Sequence, residues 1–177
     1  MKCFATIGSL ALVLVFGLGM GCENSTVTPP PSAAPTVKAA AGQPQPKLPT
    51  LKLWLGPHEL TTELAITPEQ KQRGMMYRTN MAEMEGMLFV FPGPHQAAFW
   101  MKNTTLPLSA AYIDPEGVIA EIRELKRLDE NSVVAQSDNI QYVLETNHGW
   151  FERNGVGVGT VLRTERGSLR ETFFRRQ

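Results

Sequence analysis

Between Glu23 and about Thr50 the chain turns to proline, alanine, serine, threonine, glutamine and glycine, and this tract decides what the rest can fold into. Pro29, Pro30, Pro31, Pro35, Pro44, Pro46 and Pro49 remove backbone donors and favour extended conformations. Residues 23–50 therefore read as a disordered tether, reaching up to roughly 80 Å at the rise of an extended proline-rich chain. Only residues 51–164 are left to build a domain, enough to bury about two-thirds of their unfolded surface. Residues 165–177 read as a short basic tail with a solvated, frayed end.

Ahead of the tether stands a different segment. Lys2 is the only charge in residues 1–22, and Ala11, Leu12, Val13, Leu14, Val15, Phe16 and Leu18 form an apolar run closed by Gly19-Met20-Gly21-Cys22. One basic residue, a short apolar stretch and small residues read as a secretory signal. The run is short for a membrane span, although an uncleaved N-terminal anchor has the same composition. Leu18-Gly19-Met20-Gly21-Cys22 is similar to a lipoprotein box, with the large aliphatic residue one place early. Acylation at Cys22 would make the chain an exported protein held on a membrane by its N-terminus, with several acyl chains giving a stable anchor. An ordinary signal with an incidental cysteine is the alternative.

The two cysteines, Cys3 and Cys22, both lie in or beside this segment. Residues 23–177 consequently offer no internal disulfide, no thiol nucleophile and no thiolate metal site. From residue 51 to 162 the chain carries nine Lys and Arg against fourteen Asp and Glu, a balance of minus five. Residues 163–177 carry five arginines against Glu165 and Glu171, a balance of plus three. The acidic domain argues against nucleic acid as a partner.

Strand signals dominate residues 51–164. Leu51 to Leu55 alternates at period two. Gly86 to Phe91 is an apolar run stopped by Pro92-Gly93, and with Ala97 to Met101 it reads as a pair of adjacent strands. Ala110 to Ile113 and Val118 to Ile122 flank Asp114-Pro115-Glu116-Gly117, a type I turn sequence, so they form a hairpin. Ile140 to Leu144 and Thr160 to Arg163 complete the strands. Thr67-Pro68-Glu69-Gln70 is a capping box opening a helix that Gly74 ends. A second helix is expected from Asn147 to a left-handed cap at Gly155. The fold class is mainly β (α+β): a compact antiparallel or mixed sandwich or barrel-like domain with two short helices.

Several stretches taken together resemble a known family. They are Glu63-Leu64-Ala65, Thr67 to Gln70, Arg73 to Arg78, Glu85 to Phe91, Phe99 to Thr104, Leu106-Pro107-Leu108, Ile113-Asp114 with Gly117, Tyr142 to Glu145, Gly149-Trp150-Phe151 and Gly155 to Gly159. In this order, across nearly all of 51–162, they resemble domain-of-unknown-function family 192. The resemblance implies a compact β-rich fold, common in exported bacterial and archaeal proteins, and no settled activity. Ser109 departs from it, since many members carry Asp there.

The residues themselves suggest one binding constellation. Lys102-Asn103-Thr104 follows an aromatic strand, Glu145 ends another, and Arg78 follows the first helix. Cationic and amide donors converging with one carboxylate suit an anionic or polyhydroxylated ligand. The plain structural alternative pairs Lys102 with Glu145 and leaves Asn103 in a turn. Met75, Met76, Met81, Met84, Met87 and Met101 are soft enough for copper(I), yet methionine also fills cores. His58, His95 and His148 are too scattered for a metal site. No cofactor signature and no hydrolase elbow is present, and Gly155 to Gly159 lies between helix and strand, the wrong order for a dinucleotide loop. Asp114 and Glu116 belong to a turn. A non-catalytic ligand-binding or interaction module of the cell envelope is the reading these residues favour. The alternative is a hydrolase of an envelope polymer using Asp114 or Glu145 with Lys102.

Overall fold

The computed structural model describes residues 42–174; the signal segment, Cys22 and most of the tether lie outside the described residues. Ten strands and three short helices follow in chain order. They are β1 Thr50–Leu55, β2 His58–Ala65, α1 Pro68–Arg73, β3 Glu85–His95, β4 Ala98–Phe99, β5 Leu108–Ile113, β6 Ile119–Leu125, β7 Val133–Val134, β8 Ile140–Asn147, α2 Trp150–Arg153, β9 Leu162–Thr164, β10 Gly167–Ser168 and α3 Leu169–Phe174. Eight strands make one mixed sheet in the order β10-β9-β1-β2-β3-β8-β5-β6. Only β2 and β3 pair in parallel, because α1 carries the chain across between them. The sheet curls until Val118 and Val161 form an isolated antiparallel bridge, without closing into a continuous barrel. The β-rich α+β class expected from the sequence is the one observed.

Sequence explains which strands sit where. β1 buries alternate residues and leaves the others to solvent. β5 is buried at every position and β8 at all but its last, so their apolar runs have no polar face. Leu88, Val90, Ala111, Ile113, Tyr142 and Leu144 point into one core with Trp150 and Phe151 of α2. Met87, Phe89, Ala110, Tyr112 and Val143 point into the other, beneath α1 and the loops. By the same alternation, Glu145 on β8 shares the second face. Gly86 lets the central strands approach, since a Cβ there would sit 2.8 Å from the Glu145 carbonyl oxygen.

The local expectations hold where side chains bond to their own backbone. The Thr67 hydroxyl accepts from Gln70 N and the Gln70 side chain accepts from Thr67 N, completing the capping box. Thr67→Ala should cost about 1 kcal/mol in urea unfolding. Gly117 N donates to Asp114 O, and Asp114 Oδ1 accepts from Glu116 N and Val118 N, which fixes the β5–β6 hairpin. Gly155 takes φ 63° and Val156 N donates to Phe151 O, closing α2 as a left-handed cap.

Four expectations are corrected. Gly86–Phe91 and Ala97–Met101 are not neighbours: β2 and β8 occupy both edges of β3, so β4 pairs with β7 in a separate ribbon. Tyr112 Oη holds that ribbon by donating to Val133 O. The second helix starts at Trp150, not Asn147, because Asn147 still pairs with Leu108 and Gly149 turns left-handed at φ 71°. The domain also begins earlier than 51. Gln45 is buried, with its amide donating to Gln70 O and Gly74 O at the end of α1, and Leu48 N donates to Glu63. At the other end, β10 and α3 extend it past 164, with Leu169 fully buried in the first core.

Candidate functional site

The residues proposed as one constellation do not converge. Asn103 adopts a left-handed conformation at φ 56° within a turn in which Thr104 N donates to Met101 O. That turn sends Lys102 outward, where Nζ lies 3.4 Å from Glu130 and 5.2 Å from the centre of the Trp100 ring. Asn103 contributes its carbonyl, which accepts from Tyr77 N. Arg78 forms a two-pronged ion pair with Glu63, at 2.7 and 2.8 Å, beside a separate surface hollow. The Lys102–Glu145 pair of the plain alternative does not form either.

Thr104 and Glu145 remain together. Both line a cavity of about 230 Å³ between the end of α1, the outer half of β3 and the β4 ribbon. Phe89, Phe91, Phe99 and Trp100 supply aromatic walls; Lys71 and Arg73 of α1 and His95 of β3 bring polar groups. Phe99 stacks edge-on against Phe89 with ring centres 4.8 Å apart and against Phe91 at 6.4 Å, so these rings brace one another. Thr104 Oγ1 is spent on the Lys102 carbonyl.

Glu145 is the unusual group. Its residue is only 4% exposed, and Oε2 is buried with no hydrogen-bond partner. Among the described residues no other carboxylate oxygen is buried in this way. Loss of solvation pushes its pKa up to about 8, which favours the carboxylic acid form at neutral pH. In that form it donates one hydrogen bond and accepts others, facing a chamber lined by polar and apolar surface in similar measure. Lys71 stands on the cavity wall with Nζ donating to Val90 O at 3.0 Å and lying 4.8 Å from the Phe91 ring centre. Burial shifts its pKa down.

Other sequence candidates have plain roles. Met75, Met87 and Met101 pack within the second core, while Met84 is exposed. His58 packs edge-on against Trp150, His95 against Phe91, and His148 lies 3.2 Å from Glu124. Among the described residues no group of three His, Cys, Asp or Glu side chains is placed to hold a metal ion. Ser109 is fully buried; its hydroxyl donates to Glu124 and accepts from Gly149 N, the amide that turns the chain into α2.

The family model of domain-of-unknown-function family 192, described as an uncharacterized ACR, matches residues 52–164. The chain belongs to domain-of-unknown-function family 192. Two solved structures are similar to this member of the family. A protein of Sinorhizobium meliloti 1021, described as a candidate transcription regulator, is 37% identical with a TM-score of 0.61; the match covers 65% of this chain and 92% of that one. A protein of unknown function from Novosphingobium aromaticivorans DSM 12444 is 29% identical with a TM-score of 0.61, covering 75% of this chain and 94% of that one. No curated protein matches.

Lys71, Arg73 and the aromatic walls were not expected at the site. A basic helix end and an apolar strand each have ordinary readings alone, and only the fold brings them to Glu145. The one signal in the sequence was a carboxylate directly following the strand run Ile140 to Leu144.

Proposed function

We propose that this member of family 192 is an exported, lipid-anchored module of the cell envelope that binds a small molecule without transforming it. The observation that carries the binding reading is a buried Glu145 carboxyl, with one oxygen lacking a hydrogen-bond partner, on the wall of a cavity lined by aromatic rings. At about 230 Å³ the chamber is smaller than most sites for drug-sized ligands and suits a small one, and its aromatic walls with a few polar groups offer it both apolar and hydrogen-bonding contacts. A binding role is favoured over hydrolysis because the polar groups have other work. Asp114 accepts two turn amides, Thr104 is bonded to a carbonyl, and Lys102 faces Glu130. The exported, anchored placement rests on the apolar segment and Cys22 of the sequence.

The test is a thermal-shift screen of the full chain in detergent, with envelope sugars, wall peptides, nucleotides, phosphate, organic acids and amines. A ligand at a hundred times its dissociation constant adds about 2.7 kcal/mol, which raises the midpoint by several degrees in a domain of this size. The shift should vanish in Glu145→Leu, whose own midpoint reports whether it folds. A panel without any shift contradicts the reading. Separately, Cys22→Ser should release the protein from the membrane fraction, and retention there removes the lipid anchor from the account.

A further inference from the structure

We propose that the ligand of this cavity is a small organic anion, with a ring-sized apolar body and a neutral polar group at its far end. The assignment rests on the reading of the cavity as a ligand site. Charge gives the first argument. The ion pairs among the described residues do not include Lys71, and its ammonium is held on the cavity wall by the Val90 carbonyl over the Phe91 ring. Burial holds the acid on that cavity, Glu145, towards its neutral form, so the Lys71 ammonium gives the chamber a positive charge to present to an entering group. An organic cation would meet that charge and find no anion inside.

Length and shape give the second. Glu145 pairs with Met87 of β3, and the carbonyl that holds Lys71 belongs to Val90, three residues further along. That separation is about 10 Å along the strand. The cavity of about 230 Å³ that these two ends share has room for a body near the size of a six-membered ring. Phe89, Phe91 and Phe99 present apolar surface to such a body. The carboxylic acid of Glu145 then meets a hydroxyl or carbonyl, which it serves as donor or acceptor.

Calorimetric titration of the full chain in detergent tests this with three compounds of one shape: 4-hydroxybenzoate, phenol and tyramine. The anion should bind most tightly. Lys71→Met should weaken it about tenfold or more, the scale of a charge-assisted hydrogen bond, leave phenol unchanged, and be rescued by Lys71→Arg. Unfolding midpoints of both variants close to that of the parent exclude a folding defect. Phenol or tyramine binding as well as the carboxylate overturns the anion assignment. A thermal-shift screen that finds ligands with no organic anion among them does the same and leaves the cavity reading standing. No ligand of any class takes both down.

Discussion

Glu145→Gln is expected to stabilise the domain by up to about 4 kcal/mol at pH 8 and to change it little at pH 4. The sign follows from the direction of the shift. Burial raises the folded pKa to about 8 from an ordinary 4.5, so between those values the folded chain keeps a proton that the unfolded chain has lost. Stability is therefore full below about pH 4.5, falls as the pH rises towards 8, and levels off above it. Glutamine has nearly the same shape and no proton to lose, which flattens the profile. Glu69 and Asp129, whose pKa values are lowered by hydrogen bonds from backbone groups, act below pH 4.5 and outside this window. Urea midpoints at pH 4, 6 and 8 for parent and variant measure the effect. Parallel profiles would mean that Glu145 is solvated and ionised.

Arg78→Ala should cost about 3 to 5 kcal/mol, for the opposite reason: here a charge is buried together with its partner. Arg78 and Glu63 have side chains only 11% and 14% exposed, and both terminal guanidinium nitrogens donate to the carboxylate. Glu63 also accepts from Leu48 N, so the pair ties the segment before β1 to β2 and to the turn after α1. Removing the arginine leaves a carboxylate with its Coulombic partner gone and most of its solvent still excluded. The double variant Arg78→Met with Glu63→Leu should recover most of the loss, because it removes both desolvation penalties at once. Chemical unfolding of the two single variants and the double measures the coupling. A loss below about 1 kcal/mol, the usual value of an exposed pair, would place Arg78 in solvent.

Features that depend on neighbouring residues were legible in the sequence. The capping box at Thr67, the turn at Asp114 and the left-handed Gly155 each close within a few residues, so residue type and spacing determine them. β2 was not legible: in His58–Ala65 the leucines at 60 and 64 stand four apart around two threonines, without period-two alternation, and a parallel neighbour supplied by a crossover has no local mark. The docked segment at Gln45 was hidden by composition. Its anchor is a polar amide bonded to helix carbonyls, not an apolar side chain that would announce a core.

The candidate site divides along the same line. Glu145 stood out because a carboxylate continues an apolar strand. Lys102 was drawn in by its place after an aromatic stretch, and the left-handed turn at Asn103 sends it outward instead. Lys71, more than seventy residues before Glu145, reaches the cavity only through the packing of α1 against β3. No spacing rule carries that contact.

The central claim is that Glu145 is a neutral acid on the wall of the cavity at physiological pH. Carbon-13 NMR titration of its side-chain carboxyl in the full chain reads this directly. A midpoint near 8, with the signal of a protonated acid at pH 6, is the result the structure predicts. A midpoint between 4 and 5 would show a solvated carboxylate and contradict both the neutral acid and the site built around it.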